Sequence, residues 1–132
     1  MKERILIIED ETPMRTALAD VLEGEGYRAL AAAYGEVGLR KAVEEKPDLI
    51  LLDIMMPKLD GYEVCKAIKS NAATKGTPVI LLSAKGRNVD QKMGFDVGAD
   101  DYITKPFSPR KLVERINQLL GQAISERPAS SA

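Results

Sequence analysis

The sequence predicts an α/β fold built on a parallel β-sheet, and three observations support this prediction. The chain has 132 residues, which is the length of one domain. Five short runs of apolar, β-rich residues alternate with stretches long enough to form helices. The runs Ile5–Ile8 and Leu49–Leu52 are apolar at every position, as is typical of strands covered on both faces.

The five runs predict five strands, which are Ile5–Ile8, Tyr27–Ala32, Leu49–Leu52, Val79–Leu82 and Tyr102–Thr104. Parallel strands are joined by right-handed helical crossovers, which place helices on both faces of the sheet. We therefore predict a doubly wound, flavodoxin-like (βα)5 fold with strand order 2-1-3-4-5.

Five helices are predicted between and after the strands, because apolar residues recur there at helical spacing. Thr12-Pro13 and Ser108-Pro109 mark two helix starts, each with a capping hydroxyl followed by proline at the first helical position. The five apolar stripes contain Met14, Leu18, Val21 and Leu22; Leu39, Ala42 and Val43; Val64, Ala67 and Ile68; Val89, Met93 and Val97; and Leu112, Val113, Ile116, Leu119 and Leu120.

Domain organisation and composition narrow the classes of function. We predict one domain over residues 1–120, followed by a disordered tail or the start of a linker over residues 121–132, where no apolar period is found. The 19 basic and 20 acidic residues nearly cancel, so direct nucleic acid binding by this segment is not expected. No apolar run approaches the roughly 20 residues that cross a bilayer, and the first strand leaves no room for a secretory signal. We therefore expect a cytoplasmic protein without a membrane partner.

The absence of histidine directs attention to other side chains. Histidine is the commonest general base and metal ligand, and the chain contains none. The lone Cys65 cannot form an internal disulfide, and its position on a helical apolar stripe predicts a core residue. Any chemistry must therefore use carboxylates, hydroxyls and lysine.

Polar side chains of these kinds follow four of the predicted strands. Strand one ends in Glu9-Asp10, strand three in Asp53, strand four in Ser83 and strand five in Lys105. In open α/β sheets, ligands bind outside the carboxyl ends of the strands, near the point where the strand order reverses. We therefore expect these residues to meet at one edge of the sheet.

Their chemistry suggests a phosphoryl group held beside a metal ion. Three neighbouring carboxylates repel one another unless a cation lies among them, and oxygen ligands of this kind suit Mg²⁺. Lys105 offers a point charge to an anionic group, and Ser83 offers a hydrogen-bond donor. Asp53 at the end of a buried strand could act as a nucleophile and form an aspartyl phosphate, with catalysis by positioning and charge neutralisation.

Taken singly, each of these residues has a simpler structural explanation. The acidic run Glu9-Asp10-Glu11 is typical of a solvated helix start. Asp53 could open a loop, Ser83 could bond its own backbone, and Lys105 could be solvated. The functional interpretation therefore depends on the convergence of all of them.

The chain from about Lys2 to Leu120 resembles the receiver domains of bacterial response regulators, such as the chemotaxis response regulator. The resemblance is carried by four motifs in order, Ile-Leu-Ile-Ile-Glu-Asp-Glu at 5–11, Pro-Asp-Leu-Ile-Leu-Leu-Asp-Ile-Met-Met-Pro at 47–57 with Asp60-Gly61, Pro-Val-Ile-Leu-Leu-Ser-Ala at 78–84, and Gly-Ala-Asp-Asp-Tyr-Ile-Thr-Lys-Pro-Phe at 98–107. It implies a phosphorelay switch that accepts a phosphoryl group from a sensor histidine kinase or phosphotransfer protein. The switch catalyses this transfer and a slow dephosphorylation of itself.

The resemblance also implies roles for the metal-binding residues. Asp53 is the phosphoacceptor, Asp10 binds Mg²⁺ directly, Glu9 acts through water, and the carbonyl of Met55 supplies a further ligand. Glu9 departs from the family pattern, since many members have aspartate there, and its longer side chain is expected to alter metal affinity.

A second group of residues is implied to read out the phosphorylated state. Ser83 and Lys105 contact the phosphoryl group, and Tyr102 is the aromatic residue that follows the hydroxyl. Ser83 stands where threonine is also common, and it keeps the hydroxyl. The family also implies a cis peptide between Lys105 and Pro106. Output is expected from the face formed by the predicted fourth helix, the fifth strand and the predicted fifth helix.

The segment from Ala99 onward further resembles receivers of the OmpR/PhoB subfamily. That resemblance implies a phosphorylation-dependent homodimer in which Asp101 and Arg115 pair across a two-fold axis, although Lys111 stands where the subfamily often has an acid. The subfamily usually carries a DNA-binding domain after a linker. Two alternatives stay open, a stand-alone regulator and the receiver of a longer protein.

Three other functions fit the sequence less well. A phosphatase of the haloacid dehalogenase type uses a second acid two residues after its nucleophile, where this sequence has Met55. A flavin or nucleotide binder needs a Gly/Ser/Thr-rich phosphate loop after the first strand, where this sequence has acids. A non-phosphorylated interaction module on the same fold remains an alternative, since fold alone does not determine function.

Overall fold

The computed structural model describes residues 3–54, 61–84, 98–105 and 107–125. The described residues form five strands and four helices. In chain order these are β1 (Arg4–Ile8), α1 (Thr12–Gly24), β2 (Arg28–Ala32), α2 (Gly35–Glu45), β3 (Leu49–Asp53), α3 (Gly61–Ser70), β4 (Val79–Ala84), β5 (Asp101–Lys105) and α4 (Pro109–Ser125).

The strands form one parallel sheet in the order β2-β1-β3-β4-β5, which confirms the predicted topology. The register brings the functional strand ends together. Ile8 of β1 lies opposite Leu52 of β3, so the residues that follow, Glu9 and Asp53, begin at the same edge. Asp53 in turn lies opposite Leu82, directly before Ser83.

Alternate residues of the central strands point to opposite faces of the sheet and pack into two separate hydrophobic cores. On one face, Leu6 and Ile8 pack with buried residues of α2 and α3, including Ala42, Cys65 and Ile68. Burial of a large aliphatic side chain such as Ile68 contributes about 1.5–3 kcal/mol to the free energy of folding. Cys65 lies fully buried in this cluster, so it is a core residue, as predicted.

The opposite face has the same construction. Ile5 and Ile7 pack there with Leu22 of α1 and with Leu112 and Ile116 of α4. Because the strands are covered on both faces, their continuous apolar runs are explained.

Both predicted helix starts are found, but the predicted capping residue is confirmed at only one of them. Ser108 caps α4, since its Oγ accepts a hydrogen bond from the backbone N–H of Lys111 over 3.0 Å. The N-cap of α1 is Glu11 instead of Thr12, and Pro13 lies one position further into the helix than predicted. The Thr12 hydroxyl accepts a hydrogen bond from Arg15 instead of capping the helix.

Several predicted features lie outside the described residues. These are the predicted fourth helix around Val89, Met93 and Val97, the carbonyl of Met55, and the cis peptide before Pro106. The helix α4 therefore corresponds to the predicted fifth helix. It continues to Ser125, past the predicted end of the domain at Leu120, and the division at residue 120 stays a prediction.

Candidate functional site

Asp53 is the last residue of β3 and is held on both sides by neighbouring strands. Its side chain is buried, with 1% of the residue exposed, and β3 pairs with both β1 and β4. Behind it, the N–H of Gly61 donates to the carbonyl of Ile54. A Cβ atom on Gly61 would lie 2.3 Å from the Ile54 Cα, so only glycine lets α3 begin so close to this strand end.

Three carboxylates converge at this edge, as predicted. Glu9, Asp10 and Asp53 each offer a carboxylate oxygen, and these oxygens lie within 4.8 Å of one another. Glu9 is fully buried. Among the residues that the structure describes, Oδ1 of Asp10 is buried without a hydrogen-bond partner. A buried anionic oxygen without a partner is costly, so this arrangement fits a hard cation with oxygen ligands such as Mg²⁺.

Lys105 lies across from the acids and contacts two of them. Its Nζ is 3.2 Å from Oε1 of Glu9 and 3.4 Å from Oδ2 of Asp53. Burial acts to lower the pKa of Lys105, but the charges and hydrogen bonds of Asp53 and Glu9 raise this pKa overall. The ammonium group therefore stays charged at neutral pH.

Glu9 has a strongly shifted pKa. Burial raises the pKa of this carboxyl group from 4.5 to about 8, and the hydrogen bond and charge of Asp53 act in the same direction. Lys105 offsets only part of this effect. In the metal-free protein, this raised pKa favours the protonated form of Glu9.

Ser83 and Tyr102 contact each other directly. Ser83 is fully buried at the end of β4, and its Oγ donates to the phenolic oxygen of Tyr102 over 2.6 Å. The register of β4 and β5 explains this contact. Leu81 lies opposite Tyr102, and Ser83, two residues further along β4, points to the same face of the sheet as Leu81. The two residues that were predicted to form the switch are thus already linked.

Sequence reasoning missed Arg15, which lies on the first turn of α1. Its Nη1 donates to the carbonyls of Glu9 and Asp10 over 2.8 and 3.2 Å, and its Nη2 donates to the Thr12 hydroxyl over 3.2 Å. An arginine one helical turn after an acidic strand end was the available signal in the sequence. Two of its three side-chain hydrogen bonds are to backbone carbonyls, which no sequence pattern of charges displays.

Asp101 and Arg115, predicted to pair across a dimer axis, pair within the chain. Arg115 donates from Nε to Oδ2 of Asp101 over 2.5 Å and from Nη2 to Oδ1 over 2.7 Å. Hydrogen bonds with Asp101, and then its charge, raise the pKa of Arg115. The predicted role at an interface therefore requires this internal pair to open or to be shared.

No helix in the described part of the chain combines the length and apolar character needed to cross a membrane.

Comparison with known proteins identifies the family. The family model described as "Response regulator receiver domain" matches residues 5–117. The chain is 44% identical over 130 residues to the alkaline phosphatase synthesis transcriptional regulatory protein PhoP of Bacillus subtilis, covering 98% of this chain and 53% of that protein. It is 46% identical over 127 residues to the phosphate regulon transcriptional regulatory protein PhoB of Pseudomonas aeruginosa, covering 94% and 56% respectively. The chain thus spans about half the length of these relatives.

Solved structures agree with this assignment. A CheY-like response regulator receiver domain from Methanospirillum hungatei superposes with a TM-score of 0.88 at 33% identity, over 96% of this chain and 100% of that one. The receiver domain of a sensor histidine kinase from Pseudomonas aeruginosa, solved with a magnesium ion coordinated in its active-site cleft, gives 0.85 at 30% identity, over 92% and 99%. Receiver domains bind Mg²⁺ at an acidic site and interact with histidine kinases in two-component systems. The chain belongs to the response regulator receiver domains, the phosphorylation-dependent switches of two-component signalling, and its sequence relatives are receivers of the OmpR/PhoB type.

Proposed function

We propose that Asp53 of this chain accepts a phosphoryl group from a sensor histidine kinase or phosphotransfer protein, and that hydrolysis later removes it. One observation carries the proposal. The ammonium group of Lys105 lies between Glu9 and Asp53, beside a cluster of three carboxylates at the end of a buried strand. This arrangement combines a fixed nucleophile with a fixed cation for the transferred group.

Four residues would hold the metal ion. The carboxylates of Asp10 and Asp53 supply oxygen ligands, Glu9 acts through a bound water, and the carbonyl of Met55 is the further ligand proposed from the family pattern. When bound, Mg²⁺ neutralises the charge of the carboxylates and of the phosphoryl oxygens. The buried, unpartnered Oδ1 of Asp10 supports this assignment.

The transfer itself requires no acid or base from this chain. A carboxylate oxygen of Asp53 attacks phosphorus, an O–P bond forms, and the bond between phosphorus and the donor's imidazole nitrogen breaks. The donor keeps the electron pair and takes up a proton from solvent. Because this chain has no histidine, the phosphohistidine belongs to the partner.

Lys105 and Ser83 act on the transferred group. The Lys105 ammonium, 3.4 Å from Oδ2 of Asp53, faces a phosphoryl oxygen once the group is attached. The Ser83 hydroxyl donates to another. In the later hydrolysis step, the oxygen of a water molecule attacks phosphorus and the bond between phosphorus and the Asp53 oxygen breaks. This step restores the Asp53 carboxylate and releases inorganic phosphate, and the protons of the water leave with the phosphate or pass to solvent.

Output would begin at the bond between Ser83 and Tyr102. A Ser83 hydroxyl that donates to the phosphoryl group no longer donates to Tyr102, so the 2.6 Å hydrogen bond from Ser83 to Tyr102 is lost. Tyr102 lines a groove of about 500 Å³ along β5 and the start of α4, together with Lys111 and Arg115. We propose that this face, with the predicted fourth helix, carries the signal to a partner or to a second copy of the chain.

Mass spectrometry tests the assignment of Asp53. Incubation with Mg²⁺ and a small acyl or amido phosphate donor should add one base-labile phosphoryl group to the wild-type protein. Asp53→Asn should abolish the modification, and Asp20→Asn, which changes an exposed carboxylate on α1, should leave it unchanged. Equal modification of the Asp53→Asn variant would contradict the proposal.

The metal site has a separate test. Mg²⁺ should raise the melting temperature, since binding at a hundredfold excess over Kd adds about 2.7 kcal/mol to the free energy of unfolding. Asp10→Asn should blunt this gain because it removes a ligand. A melting temperature that millimolar Mg²⁺ does not change would count against the site.

Two expectations from the sequence stay predictions. They are the cytoplasmic location and the lack of direct nucleic acid binding by this segment.

A further inference from the structure

We infer that Arg15 is a positioning residue for the magnesium site, which holds the acidic turn after β1 in the shape that receives the cation. The inference rests on the proposed function, because it concerns the same carboxylates. On charge alone, Arg15 would weaken Mg²⁺ binding, because a fixed cation near the site repels the metal ion. The inferred positioning effect of Arg15 therefore has the opposite sign to its electrostatic effect.

The contacts of Arg15 all fall on one short turn. The guanidinium donates to the carbonyls of Glu9 and Asp10 and to the hydroxyl of Thr12. The backbone N–H of Arg15 also donates to the carbonyl of Glu11 over 2.9 Å. Side chain and backbone of one residue therefore hold every residue from Glu9 to Thr12.

The hydrogen bonds of Arg15 hold mainly backbone carbonyls and do not occupy the carboxylates that would bind the metal ion. Within the ranges that the structure describes, Arg15 forms no ion pair, whereas Lys105 contacts Glu9 and Asp53. The carboxylates of Glu9 and Asp10 project from the peptide units whose carbonyls the guanidinium holds. Fixing those peptide units therefore fixes the directions in which two of the metal ligands point.

The planar fork of arginine is needed for this geometry. Its donors are held in fixed relative directions, so one side chain can bridge two successive carbonyls and a hydroxyl. A lysine at this position keeps the charge but not the fork. Residues that orient metal ligands typically change metal affinity by 10–100-fold when they are replaced.

Two variants separate positioning from charge. Under the inference, Arg15→Lys and Arg15→Gln both raise the Kd for Mg²⁺ by about tenfold or more, because both lose the fork. If charge alone mattered, Arg15→Lys would bind as the wild type does and Arg15→Gln would bind Mg²⁺ more tightly. Arg40→Gln, which removes an exposed arginine from α2, is the matched control and should leave Kd unchanged.

Isothermal titration calorimetry with Mg²⁺ alone measures Kd, and phosphorylation rates at increasing Mg²⁺ give a second readout. We expect the Arg15 variants to need more Mg²⁺ for half-maximal rate but to reach a maximal rate within about twofold of the wild type. A general loss of structure would instead lower the maximal rate and the metal-free unfolding midpoint together, and would overturn the inference.

The other outcomes separate the inference from the proposed function. Wild-type protein that binds Mg²⁺, with both Arg15 variants within twofold of its Kd, would overturn the inference alone. Wild-type protein that binds no Mg²⁺, or binding that survives Asp10→Asn unchanged, would overturn the proposed metal site as well.

Discussion

Replacing Glu9 by glutamine should remove a pH dependence from the stability of the metal-free protein. Burial and the nearby Asp53 raise the pKa of Glu9 from 4.5 to about 8, so the folded state binds a proton that the unfolded state releases between these values. The free energy of unfolding therefore falls as pH rises through this window. Below pH 4.5 the carboxyl group is protonated in both states and this effect vanishes.

The size of the effect follows from the proton balance. One proton bound only by the folded state changes the free energy of unfolding by about 1.4 kcal/mol per pH unit. Between pH 5.5 and pH 7.5, Glu9 should therefore reduce stability by about 2–3 kcal/mol. The chain has no histidine to add a second titration in this range. Glu9→Gln binds no proton there, so its stability should change far less over the same interval.

Urea unfolding at pH 5.5, 6.5 and 7.5 in a chelating buffer measures the slope for both proteins. Repeating the series in saturating Mg²⁺ adds a second condition, because the cation favours the ionised form of Glu9 and should flatten the wild-type slope. A wild-type stability that rises over this pH range without metal, or an equal fall in Glu9→Gln, would refute the assignment of the raised pKa to Glu9.

Three further predictions concern the packing and the faces of the domain. Gly61→Ala should lower the free energy of unfolding by about 1–3 kcal/mol in urea, because its Cβ would lie 2.3 Å from the Ile54 Cα and 2.8 Å from the Asp53 carbonyl oxygen. Gly121→Ala, at a position in α4 with open space around it, is the control and should instead raise the free energy of unfolding by about 0.5–1 kcal/mol. Burial raises the pKa of Cys65 from 9.0 to about 11, which lowers its thiolate fraction at pH 8 by about 100-fold, so alkylating reagents should react with it correspondingly more slowly than with a free thiol. Rapid labelling of the native protein would contradict this. Sedimentation velocity should show association when a phosphoryl mimic occupies the active site, and Arg115→Ala should weaken that association. The same variant should lower the free energy of unfolding of the monomer by about 1–3 kcal/mol, because it removes two hydrogen bonds from the buried Asp101 carboxylate. A monomer at high micromolar concentration in both states would assign this face to another partner.

The pattern of apolar residues was sufficient to predict the strands and the edge at which the site lies. Ile5–Ile8 and Leu49–Leu52 are apolar throughout because helices cover both faces of the sheet. In a parallel sheet all carboxyl ends lie at one edge, so Glu9 and Asp53 were expected to meet. Both inferences depend on local periodicity and on chain direction, which a single sequence displays.

Contacts between individual side chains were decided only by the tertiary structure. Lys105 and Glu9 are 96 positions apart, and their 3.2 Å contact depends on the register of four strands. The fork of Arg15 acts on carbonyls, which every residue has, so no residue type marked its targets. The pairing of Asp101 with Arg115 inside one chain depends on how α4 packs against β5. Periodicity places elements, whereas side-chain partners depend on packing between residues that are distant in the sequence.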